Sequence, residues 1–474
     1  MTELETRRHR AARVRGLAAV AALALLAGAG MLARGEAAEA HASAASAAAR
    51  GPRFPNVLLI SIDTLRTDRM SAYGYERPTS PEIARLFARG TRFADARTVE
   101  PLTSPASCSL LTSRFPHEHG STRNGLRLRP GLASLPKLLE QRGYRTAAFV
   151  GNWTLRNELS GLSEHFDEYH EVFTRHRWFG LFNDEATGEY LTAETLDWIE
   201  EHREDEPEHP YFVWVHYVEP HAPYRFWEEF ATKLGVRFQQ GVPKSDRYDS
   251  EVAYSDREVG RLLRALGGAG GVPEDTLVLF TADHGESLGE HSYWGHGRHL
   301  YENSLRIPMG LVWPGRVPER RIDEPALIID LAPTVLGLLG LPQPDGFRGF
   351  DWSRVFRGEA EAPVRIGYFQ AHKGAVQFDH TSSSARADGL LEVGKVTGTR
   401  KEILEVGSGE LRIYDFARDP GELRNLATEG AKPSPDLATW LEAVRLGLRA
   451  ASDIPPARLD AESRERLKAL GYVD

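Results

Sequence analysis

The sequence predicts an α/β fold, in which helices flank a mostly parallel β-sheet and a small antiparallel α+β subdomain follows at the C-terminal end. The first observation is that short apolar runs alternate with amphipathic stretches, which is typical of a parallel sheet buried between helices. The second is that polar residues of catalytic type follow three of these runs. The third is a change, after about Pro363, to short strand-like pieces that predict an antiparallel sheet.

The order of the predicted elements supports this fold class. The apolar runs predict buried strands over 56–62, 145–150, 211–215 and 276–281. The amphipathic stretches between them predict helices over 81–89, 135–142, 193–202 and 249–266. Parallel strands joined by such helices end at one edge of the sheet, and ligands bind at that edge in folds of this class.

Composition limits the classes of function. The chain has 474 residues and a formal net charge of −9, which argues against nucleic acid as the main partner. Its one cysteine, Cys108, excludes an intramolecular disulfide and any multi-cysteine zinc or iron–sulfur site. The length could hold about three average domains, or one large α/β domain with an appendage.

The first 53 residues are predicted to be an export segment and a linker. Five arginines between residues 7 and 15 precede an uncharged apolar run over 16–33. This is the layout of a signal peptide, and the run is also long enough to be an uncleaved membrane anchor, so the rest of the chain is expected in the periplasm or at the cell surface. We divide the chain into a signal or anchor (1–33), an Ala/Ser/Gly-rich linker (34–53), a catalytic domain (54–362), a C-terminal subdomain (363–428) and a helical tail (429–474).

Three predicted strand ends carry side chains suited to a divalent cation. Asp63 follows the first buried strand, His216 follows the run over 211–215, and the adjacent Asp283 and His284 follow the run over 276–281. Two carboxylates with one imidazole fit Zn²⁺, Mn²⁺, Mg²⁺ or Ca²⁺, and do not distinguish among them. One divalent metal ion held by Asp63, Asp283 and His284 is therefore expected.

A helix is predicted to begin near Thr103. Pro105 suits the first turn of a helix whose apolar face starts at Leu110. Thr103 could be no more than the residue that caps this helix. It could also be a nucleophile and a metal ligand, because a hydroxyl held at a helix N-terminus beside a metal ion can ionise and attack an ester.

Ordered motifs across almost all of residues 54–428 resemble the sulfatase family of the alkaline-phosphatase superfamily. They include PNVLLISIDTLRTD, LLTSRFPHEHG, FVWVHYVEPHAPY, TADHGE and LRIYDFARDPGELRNLA. The resemblance implies an alkaline-phosphatase-like sheet with one metal ion at the two Asp positions, Asp63 and Asp283. It also implies that the residue upstream of LLT, here Thr103, is the nucleophile and that His221 contacts the substrate oxyanion.

The chain departs from the family pattern at the nucleophile. Sulfatases of the family carry a Cys or Ser that is converted to formylglycine, in a motif that also contains Pro and Arg. Thr103 cannot become an aldehyde and Ser107 replaces the Arg, so no formylglycine is expected. Cys108 is expected to be an ordinary buried thiol. The layout resembles the Thr-nucleophile branches of the superfamily, which include phosphodiesterases and phosphoethanolamine or glycerol-phosphate transferases.

Four further substitutions change positions that bind sulfate in the family. Thr64 replaces the second Asp of an Asp pair, and His296 replaces a Lys. Asn152 and Thr154 replace a Lys and a His. Fewer cationic groups weaken the attraction for an oxyanion, whereas an imidazole at position 296 can donate a proton to a leaving oxygen. His296 and His221 are therefore predicted catalytic residues, together with Thr103.

Three functions fit these residues. The first is an extracytoplasmic, metal-dependent hydrolase or transferase in which Thr103 attacks a phosphoric or phosphonic ester. The second is a sulfatase in the functional sense, and the third is a non-catalytic protein that binds glycans or another protein. The complete set of metal ligands favours catalysis, and a Thr ester intermediate favours phosphorus over sulfur. The expected substrate is a small-molecule, glycan or lipid ester, with membrane contact only through the N-terminal segment.

Overall fold

The computed structural model describes residues 54–177, 182–185, 187–237, 241–267, 271–374 and 389–450. The predicted signal or anchor (1–33) and the linker (34–53) lie outside these residues, as do residues 451–474 of the predicted helical tail. Within the described ranges, no helix combines the length and the apolar character needed to cross a membrane.

The strands of the described residues form a central nine-stranded sheet, a four-stranded sheet and two two-stranded sheets. In chain order the strands of the described residues are β1 (Asn56–Ile62), β2 (Thr91–Arg97), β3 (Arg145–Val150), β4 (Glu168–Glu171), β5 (Phe173–Arg177), β6 (Phe182–Glu185), β7 (Tyr211–Tyr217), β8 (Thr276–Ala282), β9 (Ser287–Leu288), β10 (Trp294–Gly295), β11 (Arg306–Val312), β12 (Arg320–Ile322), β13 (Ala326–Leu327), β14 (Gly367–His372), β15 (Leu390–Thr397), β16 (Arg400–Glu405) and β17 (Leu411–Asp415). The central sheet has the order β12–β2–β11–β8–β1–β7–β3–β4, and β13 also pairs with β2. Because β1 is parallel to β7 and β8, and β3 is parallel to β7 and β4, the predicted mostly parallel sheet is confirmed.

Helices flank the central sheet. Those of the described residues are α1 (Pro81–Phe87), α2 (Thr103–Thr112), α3 (Pro116–His119), α4 (Leu135–Glu140), α5 (Asn157–Ser160), α6 (Gly188–Asp205), α7 (Glu228–Lys233), α8 (Lys244–Gly267), α9 (Glu302–Leu305), α10 (Leu331–Leu338), α11 (Ser353–Phe356) and α12 (Pro435–Ala450). All four predicted helices are present as α1, α4, α6 and α8. Helices α6 and α8 are longer than predicted, because the prediction covered only the turns with apolar spacing and both helices continue past them at each end.

The middle strands of the central sheet are buried on both faces. Every residue of β7 and β8 is buried, as is β1 after Asn56, which explains why these runs are apolar without alternation. Ile62 of β1 pairs with Tyr217 of β7 and with Ala282 of β8. The three strands therefore end side by side, and the residues that follow them share one edge.

The C-terminal part contains the predicted antiparallel subdomain. β14, β15, β16 and β17 form a four-stranded antiparallel sheet in chain order. Leu437, Val444 and Leu448 of α12 pack against this sheet at Val393 and Leu404. The predicted domain boundaries after residues 362 and 428 stay predictions.

The first strand of the C-terminal sheet docks on the segment that leads into α2. The Gln370 N–H donates to the carbonyl of Val99 at 3.1 Å. The His372 N–H donates to the Glu100 carboxylate at 3.0 Å, and His372 Nδ1 lies 3.0 Å from the other oxygen of that carboxylate. The side chains of Glu100 and His372 are fully buried. The C-terminal subdomain thus stabilises the segment directly before Thr103.

Candidate active site

Asp63, Asp283 and His284 meet at the carboxyl edge of the central sheet. Asp63 follows β1, and the other two follow β8, which pairs with β1 up to its last residue. One ligand atom from each side chain lies within 4.8 Å of the other two, and all three residues are buried. The structure thus brings together the three residues that the sequence predicts to bind a metal ion.

The oxygens of this trio are incompletely satisfied. Asp63 Oδ1 and Asp283 Oδ2 are buried and have no hydrogen-bond partner within the described part of the chain. The other Asp283 oxygen accepts from the backbone N–H groups of Thr64 and His284, at 3.2 and 2.7 Å. The His284 Nδ1–H donates to the carbonyl of Gly285 at 2.8 Å, which leaves a lone pair on Nε2. Burying a carboxylate oxygen without a partner costs free energy. The two unpaired oxygens and His284 Nε2 therefore fit the ligands of a divalent cation.

Electrostatics support the same fit. Burial, together with the charge of Asp63, holds the pKa of Asp283 well above its ordinary value. Burial, helped by the neighbouring His296, holds the pKa of His284 well below that of an exposed imidazole. Burial would raise the pKa of Asp63, but the surrounding imidazoles, His221 foremost, outweigh it and lower that pKa. Two facing carboxylates beside a neutral imidazole are an arrangement that a divalent cation stabilises.

Thr103 lies beside this trio. Its Oγ1 is 3.3 Å from His284 Nε2, the nitrogen that carries the lone pair, so the hydroxyl donates to the imidazole. Thr103 is the first residue of α2 and is fully buried, and Leu102 occupies the capping position instead. The alternative that Thr103 only caps the helix is therefore wrong. Pro105 lies in the first turn, as predicted.

His221 and His296 form one side of the site. The ring centroid of His296 is 4.4 Å from that of His284 and 5.3 Å from that of His221. The His221 Nδ1–H donates to the carbonyl of Ala222 at 2.6 Å. The structure therefore places both predicted catalytic histidines next to the trio, and their catalytic roles stay predictions.

His216 borders the trio, with its Nε2 3.8 Å from Asp63 Oδ2, whereas Cys108 is a buried residue of α2. His216 lies inside β7 rather than after it, because the strand runs two residues further than predicted. Its Nδ1 is 2.8 Å from Ser61 Oγ, which also accepts from the indole N–H of Trp214. Cys108 is fully buried in α2, and burial raises the pKa of its thiol to about 12. The prediction of an ordinary buried thiol agrees with this environment.

Asn152 is a site residue that the sequence analysis treated only as a departure from the family pattern. Its side-chain N–H donates to Asp63 Oδ2. Its Oδ1 accepts from the backbone N–H and the hydroxyl of Thr154, at 2.7 and 2.8 Å. The amide thus orients one carboxylate of the trio. A signal was available, because Asn152 comes two residues after β3, a neighbour of β7 in the sheet.

Thr64 has a strained backbone conformation at the end of β1. Its φ of 54° lies in the left-handed region, which costs a residue with a Cβ about 1 kcal/mol or more. This conformation turns the Thr64 N–H toward Asp283. The Thr64 carbonyl accepts from the hydroxyl of Tyr248 at 2.7 Å. Strain of this kind is characteristic of functional sites and here orients a carboxylate of the trio.

Comparisons with known proteins find relatives that cover most of the chain. The chain is 27% identical to human arylsulfatase A over 477 residues, which cover 83% of this chain and 87% of that protein. A structure solved in complex with its substrate D-glucosamine-2-N,6-O-disulfate superimposes with a TM-score of 0.64 at 20% identity, over 84% of this chain and 99% of that one. The phosphonate monoester hydrolase of Agrobacterium radiobacter superimposes with a TM-score of 0.61 at 20% identity, over 84% and 96%.

Family models extend the agreement over most of the described residues. The model of the C-terminal region of N-sulphoglucosamine sulphohydrolase matches residues 289–439, which include the antiparallel sheet. The sulfatase model matches residues 55–341, which include the trio and Thr103. The predicted family and fold class are confirmed, and the chain belongs to the sulfatase family of hydrolases.

Proposed function

We propose that this sulfatase-family protein is an exported hydrolase or transferase in which unmodified Thr103 attacks a phosphoric or phosphonic ester. The observation that carries the proposal is the hydrogen bond from Thr103 Oγ1 to His284 Nε2, at 3.3 Å, beside two buried carboxylates. A hydroxyl in this position is next to a group of cation ligands, and a cation held there would lower the pKa of the hydroxyl. The basic and apolar N-terminal sequence supports export, either as a cleaved signal or as an anchor.

The residues of the site have distinct roles in this reaction. Asp63, Asp283 and His284 would hold a divalent cation, which when bound supplies charge that favours the Thr103 alkoxide and neutralises the phosphoryl group. Thr103 Oγ1 releases its proton to solvent and attacks phosphorus in line with the leaving oxygen, and its bond to phosphorus forms as the ester P–O bond breaks. His296 donates a proton to the leaving oxygen, and His221 binds a phosphoryl oxygen. Water or an acceptor alcohol then displaces Thr103.

The identity of the nucleophile favours phosphorus over sulfur. A formylglycine diol forms a hemiacetal ester, from which sulfate can leave by elimination. A threonine ester has no such route, so the covalent intermediate must be resolved by a second displacement at the central atom. Phosphorus supports this second displacement in other Thr-nucleophile enzymes of the superfamily that the chain resembles. The phosphonate monoester hydrolase among the structural neighbours shares the fold, which is compatible with a phosphorus ester.

A sulfatase acting on sugar esters is the second candidate. It is favoured by the 27% identity to human arylsulfatase A and by the structural neighbour solved with a sulfated glucosamine. In this case Thr103 would have to act on sulfur without the aldehyde. In both candidates the alcohol part of the substrate is a small molecule, a glycan or a lipid, and any membrane contact comes from the N-terminal segment.

Initial rates on matched substrates test the proposal. Nitrophenyl phosphate, a nitrophenyl phosphodiester, a nitrophenyl phosphonate and nitrophenyl sulfate are compared, each with Mg²⁺, Ca²⁺, Mn²⁺ and Zn²⁺. We expect at least one phosphorus ester to exceed the sulfate in kcat/KM by roughly 100-fold, which corresponds to about 2.7 kcal/mol of transition-state stabilisation. Faster release of sulfate than of any phosphorus product would favour the second candidate. No turnover with any metal ion would contradict both.

A further inference from the structure

We propose that Glu286 and Tyr224 are positioning residues that hold His296 in the orientation needed to protonate the leaving oxygen. This inference rests on the proposed function, in which His296 is the proton donor. Glu286 comes from the loop after β8, and Tyr224 lies between β7 and α7. Neither residue belongs to the metal-binding trio or has been given a role above.

Glu286 is fully buried and joins two side chains of the site. Its Oε1 is 3.1 Å from His296 Nδ1, and its Oε2 accepts from the Tyr224 hydroxyl at 3.0 Å. Its backbone is held on both sides, since its N–H donates to the carbonyl of Asn303 and its carbonyl accepts from the Arg66 guanidinium. A buried carboxylate fixed in this way presents its oxygens in one geometry.

This contact determines which nitrogen of His296 can serve the reaction. Glu286 Oε1 lies 3.1 Å from His296 Nδ1, and in this pair Nδ1 carries the hydrogen and the Glu286 oxygen accepts it. The proton for the leaving oxygen therefore comes from Nε2. When the P–O bond breaks, the bond electrons remain on the leaving oxygen and this proton moves to it. The hydrogen on His296 Nδ1 and its bond to Glu286 stay in place during this transfer.

Tyr224 connects this pair to the strained residue after Asp63. Its ring packs edge-to-face on Tyr248, with 5.7 Å between centroids. The Tyr248 hydroxyl donates to the carbonyl of Thr64 at 2.7 Å. Burial and the nearby Glu286 raise the pKa of Tyr224 well above its ordinary value, so its hydroxyl remains a donor. The metal-binding edge and the proton donor are thus joined through packed, hydrogen-bonded side chains.

A positioning carboxylate is needed because position 296 holds an imidazole. The lysine that the family pattern has there carries three equivalent donors on a flexible stem, so it needs no fixed rotation. An imidazole donates along only two directions in its ring plane, and a wrong tautomer or rotation points the proton away. The Glu286 contact supplies the orientation that the substituted side chain requires.

Leaving-group dependence tests this inference in the full chain. Glu286→Gln and Tyr224→Phe are compared with wild type on nitrophenyl phosphate, whose leaving group departs without a proton, and on an alkyl phosphate, whose leaving group needs one. We expect Glu286→Gln to lower kcat/KM about 30-fold or more for the alkyl ester and less than about threefold for the nitrophenyl ester, since general-acid catalysis contributes about 10²–10⁴-fold. Tyr224→Phe should show the same pattern at about three- to tenfold.

The controls separate orientation from general damage. Asp256→Asn alters a buried carboxylate that accepts from the backbone N–H groups of Glu82 and Ile83, away from the site, and should leave both substrates unchanged. His296→Gln should reproduce the Glu286→Gln pattern, and the double variant should be no worse than His296→Gln alone, because the two residues act as a unit. Equal losses on both ester types, or additive losses in the double variant, would overturn the inference.

A second measurement does not depend on turnover. In full-length chain labelled with ¹⁵N-histidine, the His296 signals are identified by their loss in His296→Asn. We expect His296 to carry hydrogen on Nδ1, and a neutral ring with hydrogen only on Nε2 would contradict the positioning role. If the tautomer is as expected but no phosphorus ester is turned over, the proposed function fails while the positioning contact stands.

Discussion

Thr103→Ala should lower kcat on the preferred phosphorus ester by at least about 10³-fold, because it removes the attacking oxygen while the metal ligands remain. Thr103 is the first residue of α2 and its hydroxyl contacts only His284 among the hydrogen bonds of the described residues. Alanine suits a helix well, so the variant should fold with a melting temperature close to wild type. Initial rates and thermal melts of the purified full chain measure both effects.

A matched variant distinguishes the hydroxyl from the shape of the side chain. Thr103→Ser keeps the oxygen and loses one methyl group, so it should retain activity within about 30-fold of wild type. Thr103→Val keeps the shape and loses the oxygen, so it should be as inactive as Thr103→Ala. Turnover by Thr103→Ala within tenfold of wild type would remove Thr103 from the role of nucleophile.

Asp283→Asn should weaken binding of the divalent cation by roughly 100-fold or more, because one of two facing carboxylates becomes neutral. The amide oxygen can still accept from the backbone N–H groups that now bond Asp283 Oδ1, so the loop should keep its shape. Titration calorimetry with Mn²⁺ and Zn²⁺ measures the affinity. Asp256→Asn is the control, since Asp256 is a buried carboxylate of α8 that accepts from the N–H groups of Glu82 and Ile83 away from the trio.

Thermal stability gives an independent readout of the same substitution. Without metal, Asp283→Asn replaces a carboxyl group whose charged form is disfavoured by burial and by Asp63, so its melting temperature should be a few degrees above that of metal-free wild type. With saturating metal the order should reverse, because only wild type gains the free energy of tight binding. A variant that binds the cation as tightly as wild type, and is stabilised by it equally, would contradict the assignment of Asp283 as a ligand.

The trio of candidate metal ligands was predictable because its position follows from short-range sequence rules. Wholly apolar runs identified β1 and β8, and parallel pairing brings the residues after such strands to one edge. Asp63 and Asp283 were predicted from their places directly after these strands. His284 was predicted from its place next to Asp283, and the structure adds the carbonyl of Gly285 that leaves its Nε2 lone pair available.

The partners of these residues were not predictable, because they depend on side-chain directions between distant segments. Nothing local in the sequence shows that Asn152 donates to Asp63, or that Glu286 contacts both His296 and Tyr224. The same limit applies to β11, which runs antiparallel to β8 and β2 within an otherwise mostly parallel sheet. Strand direction is set by the connections across the whole sheet, and an apolar run does not indicate whether its strand pairs in parallel or antiparallel.

The covalent state of Thr103 during turnover tests the central claim most directly. Reactions with a nitrophenyl phosphorus ester, whose first displacement is fast, are quenched in acid at short times, and the peptide containing Thr103 is analysed by mass spectrometry. We predict a phosphoryl or phosphonyl group on Thr103 that forms before the second product is released, and that is absent from Thr103→Ala and from chelated protein. Steady product release with Thr103 unmodified at every time, or with the group on another residue, would contradict the account.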